Sequence, residues 1–397
     1  MTQEEIIRHS DEVITNSYTR IPRVLVKGEG CVVYDKDHNA YLDFIAGIAV
    51  CCLGHAHPAI SKAIYEQSQK LIHVSNLYYT EPQVQLAQWL VEHSFADKVF
   101  FGNSGAEANE AAIKIARKYF YDNNTPEKNR IIAMKQSFHG RTMTTLSATG
   151  QDKVKKGFSP IAEGFDFVEY NNIDALLAMI GSTTAAVLME PIQGEGGVLI
   201  PDIEYIQKVR QICDEKGLLL IFDEIQTGIG RTGKWFAYEH FGVKPDIMSL
   251  AKAIGNGLPI GVMLTTNKVA TAFDPGSHGS TFGGAPLVTT AALVTLQTLE
   301  RENWIEHSQK MGKYFKERLL ELKNQYSCVI DVRGIGLILA LELKDNASQI
   351  VNSCLEKGFL INSIQNKILR FVPPLIITQK QIDLLISCLS EVFARQK

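Results

Sequence analysis

The middle of the chain alternates short apolar runs with amphipathic segments, and this alternation limits the possible folds more than any other feature. The apolar runs lie within KVFFGNSG, RIIAMKQS, TAAVLMEPIQ, LLLIFDEIQTG and PDIMSLAKAIGNG, and helical patterns such as AEANEAAIKIARKYFYDN separate them. Short β-rich runs bounded by Gly and Pro and separated by helical patterns indicate βαβ units around a largely parallel sheet. The sequence therefore predicts an α/β fold with a mostly parallel central sheet.

The pattern of predicted helices and strands changes after about residue 290. One or two long helices are predicted first, then strands in CVIDVRGIGLILALELK, GFLINSIQ and ILRFVPPLIIT, and then a final helix that runs to the C-terminus. Near the N-terminus, CVVYDKDHNAYLDF is typical of a β-hairpin with its turn at Lys36–Asn39. We therefore predict a large domain at 51–290, a smaller α+β domain at 291–397, and an N-terminal segment at 1–50 that joins the small domain.

Composition and charge exclude several classes of function. Of the 397 residues, 45% are hydrophobic and 21% are charged, and the net charge is only −3, without a basic block for nucleic acid. No apolar stretch reaches the ~18–20 residues that a membrane helix needs, and the polar N-terminus lacks the apolar core of a signal peptide. The cysteines form no C-x-x-C pair and are typical of a reduced protein. These patterns predict a cytoplasmic protein that binds neither nucleic acid nor membrane.

Two adjacent carboxylates follow a buried strand in LLLIFDEIQTGIGRTG. Leu218–Phe222 is a continuous apolar run, as expected for a parallel strand that is covered on both faces. Asp223 and Glu224 come at its carboxyl end, where open α/β sheets place their ligand sites. Because side chains alternate along a strand, we expect one carboxylate to point into a site and the other into a structural contact. From position alone, the first could hold a metal, a ribose or a protonated ring nitrogen, or be a partnered structural acid.

A lysine ends the next strand-like run. Lys252 follows the apolar segment IMSLA and precedes Ala253–Gly257, so no acid lies near enough in sequence to pair with its ammonium. A lysine in buried, glycine-flanked backbone has a lowered pKa and becomes nucleophilic, although a lysine that extends to the surface is the alternative interpretation. Since neighbouring strands could bring Asp223 and Lys252 into one crevice, we favour a covalent role for the amine.

A third element, FFGNSGAEANEAA, predicts an anion site. An apolar strand leads through a turn into a helix that begins near Ala106, and Gly105 would let an anion approach the free N–H groups of the first turn. The pattern matches neither G-x-G-x-x-G nor a Walker A loop, which disfavours a nucleotide, and many such turns are only helix caps. In combination, a phosphate site, a nucleophilic lysine and a carboxylate for a pyridinium nitrogen describe the binding of pyridoxal 5′-phosphate (PLP).

Several motifs occur in the order and approximate spacing of the class III (ornithine-type) aminotransferases, and the chain resembles this family over nearly its whole length. The motifs are SGAEANEAA, SFHGRT, EPIQGEGG, FDEIQTGIGRTG, LAKAIGNGLPIG and HGSTFGG. The resemblance implies the fold-type I architecture of PLP-dependent transferases, with a large PLP-binding domain and a smaller α+β domain. Within the family, AGIAVCCLGHAHP and GRTGKWFAYEHFGVKPDI are most similar to the acetylornithine aminotransferases of arginine biosynthesis.

The resemblance also implies roles around the PLP ring. Lys252 would bond covalently to the aldehyde carbon of PLP and later move the proton between Cα of the substrate and C4′ of the cofactor. Asp223 would pair with the protonated ring nitrogen, and Gln226 would hydrogen-bond near O3′. Phe138 and Ile225 would cover the two faces of the ring.

Phosphate binding is implied for two parts of the chain. Ser104, Gly105 and Ala106 would hold the phosphate at the helix N-terminus, with backbone N–H groups from the last two. Ser280 and Thr281 would reach the phosphate of the partner subunit, since the sites of this family lie at the interface of a homodimer. Ala106 stands where many relatives carry Thr, which removes a hydroxyl but keeps the N–H.

Substrate recognition is implied for three charged residues, and no metal is implied. Arg141 and Arg370 resemble the family's two carboxylate-binding arginines, and a guanidinium suits bidentate carboxylate recognition. Glu195 resembles the glutamate that pairs with Arg370 and swings aside when 2-oxoglutarate arrives. Ile48 sits where ornithine enzymes tend to carry Tyr, which favours an acylated amine donor, and Ala285 replaces a frequent Asn.

The expected reaction is the PLP-dependent, ping-pong transamination of N-acetylornithine with 2-oxoglutarate, which gives N-acetylglutamate 5-semialdehyde and glutamate. Succinylornithine, succinyldiaminopimelate, ornithine and 4-aminobutyrate are alternative donors for the same chemistry. More distant alternatives are a PLP racemase, aminomutase or decarboxylase, and a non-enzymatic relative with the same fold. The paired arginines with their glutamate favour transamination, because an enzyme with two substrates needs such a device, and the intact Lys252 disfavours a non-enzymatic protein.

Overall fold

The structure is a computed structural model that describes residues 1–395. Its strands are β1 (Leu25–Glu29), β2 (Val32–Asp35), β3 (Ala40–Asp43), β4 (Lys98–Gly102), β5 (Arg130–Met134), β6 (Phe165–Val168), β7 (Thr184–Met189), β8 (Leu219–Asp223), β9 (Ile247–Leu250), β10 (Gly261–Thr265), β11 (Val329–Ile335), β12 (Ile338–Leu343), β13 (Phe359–Leu360), β14 (Asn362–Ile364) and β15 (Ile368–Phe371). Its α-helices are α1 (Gln3–Val13), α2 (Ala46–Ala49), α3 (Pro58–Ser68), α4 (Glu81–Glu92), α5 (Gly105–Asp122), α6 (Met143–Ala148), α7 (Asp152–Lys155), α8 (Ile173–Met179), α9 (Ile203–Lys216), α10 (Tyr238–Phe241), α11 (Asn267–Ala270), α12 (Pro286–Arg301), α13 (Trp304–Gln325), α14 (Ala347–Glu356) and α15 (Gln379–Ala394).

The central sheet has the strand order β4-β10-β9-β8-β7-β5-β6. All neighbours from β9 to β6 pair in parallel, and β10 pairs antiparallel with both β4 and β9. Strands β7, β8 and β9 are buried at every residue, which explains their largely apolar sequences. The predicted α/β fold with a mostly parallel central sheet is confirmed.

The direction of β4 brings the start of α5 to the ligand-binding edge of the sheet. Because β10 is antiparallel to both of its neighbours, β4 runs in the same direction as β9. The Ser104 hydroxyl caps α5 by accepting a hydrogen bond from the Glu107 N–H at 3.2 Å. The helix then buries an apolar stripe that includes Ala108, Ala111 and Ile115 against the sheet. The N-terminus of α5 and the carboxyl ends of β8 and β9 therefore share one edge.

Two smaller sheets surround this core. The predicted hairpin is formed by β2 and β3, and the C-terminal strand β13 joins it by pairing in parallel with β3. The second sheet has the order β11-β12-β15-β14, with antiparallel neighbours throughout. The N-terminal segment thus shares a sheet with a strand from the last part of the chain.

The division of the chain into domains stays a prediction. The expected boundary near 290 falls within α12, which packs against α3 and α4. The expected final helix is α15, and the last two positions of the chain lie outside the described residues. Over residues 1–395, no helix is both long enough and apolar enough to cross a membrane.

Candidate active site

A cavity of about 460 Å³ opens at the shared edge of β8, β9 and α5. The residues predicted from the sequence that line it are Ser104, Gly105, Ala106, Phe138, Arg141, Glu195, Asp223, Ile225, Gln226 and Lys252. Arg370 adjoins the cavity through its ion pair with Glu195. Ser280 and Thr281 instead line a separate surface pocket.

The two adjacent carboxylates after β8 point in different directions, as the alternation predicts. Asp223 lines the cavity and is 3% exposed. Glu224 points into the protein, where it accepts hydrogen bonds from the backbone N–H groups of Ala237 at 2.6 Å and Tyr238 at 2.8 Å. Burial raises the pKa of Glu224 to about 7. Asp223 is therefore the one of the two that can contact a ligand.

Three donors hold the Asp223 carboxylate. Its Oδ2 accepts hydrogen bonds from Asn109 Nδ2 and from His139 Nδ1, each at 2.7 Å. Its Oδ1 accepts one from the Ile225 N–H at 3.1 Å. Because a carboxylate only accepts, the hydrogen of the His139 contact lies on Nδ1. We call Asp223, Asn109 and His139 the cavity floor.

Lys252 enters the cavity from the strand next to Asp223. Strands β8 and β9 are parallel neighbours with Asp223 opposite Ser249, and a 3₁₀ turn at Lys252–Gly255 follows β9 after one residue. Burial is the main influence on Lys252 and lowers its pKa, although the negative charge of Glu195 acts in the opposite direction. Within residues 1–395, Lys252 Nζ has no hydrogen-bonding or ion-pair partner. The amine is therefore available to react.

The N-terminus of α5 has the properties of the predicted anion site. Gly105 and Ala106 are the first two residues of the helix, so their N–H groups have no acceptor within it. The helix dipole adds a partial positive charge at this end. A Cβ on Gly105 would come within 2.7 Å of Ile225 Cδ1, so glycine is required for this close packing.

Glu190 connects two segments of the cavity wall. It follows β7, and its oxygens accept hydrogen bonds from the N–H groups of Phe138 at 3.2 Å and Gly194 at 3.1 Å. It is 5% exposed, and burial raises its pKa to about 7. Glu190 thereby holds both the Phe138 segment and the loop that carries Glu195.

Arg370 on β15 is buried beside the cavity with its charge paired. It is 1% exposed, forms an ion pair with Glu195, and donates from Nη1 to Gln226 Oε1 at 3.2 Å. Gln226 Nε2 in turn donates to Glu195 Oε1 at 3.3 Å. Burial alone would raise the pKa of Glu195, but the charge and hydrogen bond of Arg370 outweigh it, so the pKa is lowered. A carboxylate on a substrate could replace Glu195 in this arrangement.

The second arginine is arranged differently. Arg141 is exposed, and its Cζ lies 5.4 Å from the centroid of the Phe138 ring. Its guanidinium has no hydrogen bond or ion pair in the described part of the chain. Arg141 is therefore free to bind an anion at the mouth of the cavity.

The two residues expected to act on a partner subunit do not line the cavity of their own chain. The Ser280 hydroxyl accepts hydrogen bonds from Asn103 Nδ2 and from the Gly283 N–H, each at 3.1 Å. Thr281 is exposed. Their role toward a partner subunit stays a prediction.

Neither Asn109 nor His139 is identified as a site residue in the sequence analysis. Asn109 is 0% exposed and lies within the apolar stripe of α5, beside Ala108. A buried Asn inside a helix is unfavourable unless its amide has partners, and this is the signal that could have identified it. No local pattern indicates which residues those partners are.

The cavity fits PLP, the cofactor that the resemblance implies. The buried carboxylate of Asp223 suits the ring nitrogen, the unpaired amine of Lys252 suits the aldehyde, and the free N–H groups at the start of α5 suit the phosphate. The volume of about 460 Å³ lies within the usual range for small-molecule sites.

Comparison with known proteins agrees with this chemistry. The profile of the family described as Aminotransferase class-III matches residues 13–393. The chain is 50% identical over 390 residues to an acetylornithine aminotransferase of Caldanaerobacter subterraneus, with 98% of this chain and 99% of that protein covered. It is 49% identical over 397 residues to an acetylornithine aminotransferase of Methanocaldococcus jannaschii, with 100% of both chains covered.

A solved structure extends the comparison to three dimensions. The fold matches an ornithine aminotransferase of Toxoplasma gondii with a TM-score of 0.95 and 32% identity, covering 99% of this chain and 94% of that one. PLP is present at partial occupancy in the active site of that protein. The sequence and structural matches lead to one conclusion: the chain belongs to the class III aminotransferases, which are PLP-dependent enzymes.

Proposed function

We propose that this enzyme transfers the terminal amino group of N-acetylornithine to 2-oxoglutarate and so takes part in arginine biosynthesis. The products are N-acetylglutamate 5-semialdehyde and glutamate. The observation that carries the proposal is the meeting of three features in one cavity: the unpaired Lys252 amine, the Asp223 carboxylate and the Arg370–Glu195 pair. The relatives named acetylornithine aminotransferases, at about half identity over full length, support this donor.

The residues of the floor and the helix N-terminus would hold and tune the cofactor. Bound here, PLP supplies an aldehyde that takes up an amino group and a ring that withdraws electrons from the reacting carbon. Asp223 would stabilise positive charge at the ring nitrogen, and Gly105 and Ala106 would donate N–H groups to the phosphate. Gln226 lines the same cavity as Asp223 and would hydrogen-bond near O3′.

Lys252 would bind the cofactor covalently and act as the base. Its lowered pKa increases the fraction of neutral amine at neutral pH, and the neutral amine is the form that attacks an aldehyde or accepts a proton. Once the substrate amine has displaced it, Nζ can take the proton from the carbon that carries the amino group. Phe138 and Ile225 would exclude water from the two faces of the ring, and Ser104 would cap the phosphate-binding helix.

The two arginines would let one site accept two different substrates in turn. Arg141 is free at the mouth and would bind a carboxylate of either substrate. During the first half-reaction, Glu195 would keep the charge of Arg370 neutralised while N-acetylornithine, whose acyl group is uncharged, occupies the site. During the second, a carboxylate of 2-oxoglutarate would displace Glu195 and pair with Arg370.

We also propose that the enzyme is a cytoplasmic homodimer with shared sites. Leu77 is 84% exposed, Tyr79 98% and Phe282 61%, and a patch of large apolar side chains is typical of an interface. Asn76 Nδ2 donates to the Ser280 carbonyl at 3.1 Å, so this patch is continuous with the segment predicted to reach a partner's phosphate. Sedimentation should give a dimer, and Tyr79→Glu should give monomers that release PLP. A wild-type monomer that keeps PLP would contradict the proposal.

The substrate is tested by absorbance of the PLP-loaded enzyme with single donors. N-acetylornithine without an oxo acid should bleach the cofactor band, and 2-oxoglutarate should restore it with release of glutamate. Bleaching by ornithine, succinylornithine, succinyldiaminopimelate or 4-aminobutyrate but not by N-acetylornithine would keep the reaction and change the donor. Racemisation or release of carbon dioxide without an oxo acid would contradict transamination.

A further inference from the structure

We propose that Asn109 is a positioning residue that couples the phosphate-binding helix to Asp223, the acid that would pair with the ring nitrogen of the cofactor. The inference rests on the proposed role of Asp223 toward the ring nitrogen. Asn109 lies on α5 one turn after Gly105, so the helix that would bind the phosphate also carries this amide. No part of the proposed reaction requires Asn109 to touch the cofactor or a substrate.

The orientation of the Asn109 amide is determined by its partners. Nδ2 donates one hydrogen to Asp223 Oδ2 at 2.7 Å and the other to the His139 carbonyl at 2.8 Å. The reverse orientation would direct Oδ1 at two acceptors, which is repulsive. Oδ1 therefore stays on the far side, buried and without a partner in the described residues. A buried acceptor is left unsatisfied, which is unfavourable, while both donors of the same amide are used.

The contact with His139 extends the coupling to a second segment of the site. His139 follows Phe138, and its Nδ1 donates to the same Oδ2 of Asp223 at 2.7 Å. Its backbone N–H donates to Thr149 Oγ1 at 2.9 Å, which holds the segment in place. Asn109 thus joins three parts of the chain: α5, the segment that carries Phe138, and the end of β8. With two donors on Oδ2, the Asp223 carboxylate has one orientation, with Oδ1 directed away from them.

The experiment compares the affinity of the apoprotein for PLP with its affinity for 1-deaza-PLP, in which CH replaces the ring nitrogen. The analogue keeps the aldehyde and the phosphate but offers nothing to Asp223. We expect Asn109→Leu to weaken PLP binding by about 10- to 100-fold, the usual effect of removing a hydrogen bond that orients a ligating residue, because Asp223 would no longer be held toward the ring nitrogen. Binding of 1-deaza-PLP should change by less than about threefold, since the charged contact is already missing. Equilibrium dialysis gives both dissociation constants without any turnover.

Two further variants keep the test decisive. Asn109→Ser is smaller and replaces Asn109→Leu if that protein does not fold. Asn123→Ala is the matched control, because it removes an exposed amide at the end of the same helix, where Nδ2 donates to the Tyr119 carbonyl at 2.7 Å. The control should bind both compounds as the wild type does. Equal weakening of PLP and 1-deaza-PLP by both Asn109 variants, or no weakening, would overturn the inference.

Asp223→Asn separates this inference from the proposed function. If Asp223→Asn weakens PLP selectively but the Asn109 variants do not, Asp223 meets the ring nitrogen and the role of Asn109 is wrong. If Asp223→Asn affects PLP and 1-deaza-PLP equally, the assignment of Asp223 fails and the inference fails with it. If Asp223→Asn and the Asn109 variants all weaken PLP binding selectively, the results support both the role of Asp223 and the role of Asn109.

Discussion

The cavity floor and the substrate side of the cavity, formed by Arg370 and Glu195, stabilise their charges in opposite ways. On the floor, Asp223 is 3% exposed and is bonded by Asn109 and His139, which no ligand has to displace. On the substrate side, Arg370 is 1% exposed and its charge is balanced by Glu195, a carboxylate on a loop. A charge in a permanent arrangement suits a cofactor that stays bound, because no reorganisation is needed during the reaction. A charge with a displaceable partner suits substrates that alternate.

The reason for the second arrangement is the cost of an unpaired charge in the interior. Breaking a buried ion pair by removing one partner is destabilising by about 3–5 kcal/mol. Glu195 avoids this cost when the site holds a substrate without a second carboxylate. The following variants break or sharpen the comparison, from the largest expected effect to the smallest.

Lys252→Ala removes the amine proposed to bind the cofactor covalently and to act as the base, which both the cavity floor and the substrate side require. We expect transamination to fall by ~10³-fold or more, because both the covalent attachment and the base are lost. Glutamate formation from N-acetylornithine and 2-oxoglutarate measures the effect. Lys268→Ala is the control, since Lys268 Nζ lies outside the cavity, 5.8 Å from the Tyr119 ring centroid. Wild-type activity in Lys252→Ala would refute the covalent assignment.

Asp223→Asn and Glu224→Gln compare neighbouring carboxylates that point in different directions. Asp223→Asn should lower kcat/KM by about 10²-fold or more, because the charge at the ring nitrogen loses its counterion. Glu224→Gln should leave PLP affinity unchanged and reduce stability by about 1–3 kcal/mol, since its amide group would face the Ala237 or Tyr238 N–H. Urea unfolding and PLP titration of each variant distinguish the two roles. A loss of PLP affinity in Glu224→Gln alone would reverse the assignment.

Glu195→Gln should leave Arg370 on the substrate side permanently available to a substrate carboxylate. Without the competing carboxylate, Arg370 is free for 2-oxoglutarate, so its KM should fall by up to about tenfold. Discrimination between N-acetylornithine and glutamate as donors should weaken at the same time. Steady-state kinetics with each donor measure both effects, and Glu204→Gln on the exposed face of α9 is the control. A raised KM for 2-oxoglutarate would contradict the proposed displacement.

The same variant should also change the pH dependence of cofactor loading. Glu195 raises the pKa of Lys252, whereas burial and Arg370 lower it. Removing the negative charge of Glu195 should therefore lower the pKa of Lys252 further. The pH profile for attachment of PLP to the apoprotein, followed by absorbance, should move to lower pH in Glu195→Gln. An unchanged profile would mean that Glu195 does not influence the Lys252 amine.

The principal elements of the site could be predicted because each is a local pattern. Three patterns can each be recognised within a few residues: an apolar run that ends in Asp223, a second that ends just before Lys252, and a strand-turn-helix at Gly105. The parallel sheet then brings those ends together, since strand direction follows from the alternation of strands and helices. The family motifs added Arg141, Arg370 and Glu195 as expectations. Their catalytic roles stay predictions.

The sequence by itself thus determined the fold class, the parallel sheet that brings the site residues together, and the residue types that line the cavity. Only the tertiary structure decided which partners those residues have. Asn109 and Asp223 are 114 positions apart, and Glu195 and Arg370 are 175 apart, so neither contact has a local signal. Buried polar groups must find partners wherever packing brings them, and packing depends on the whole chain. That physical requirement explains why the cavity floor has permanent partners for Asp223, whereas the substrate side has a displaceable partner for Arg370.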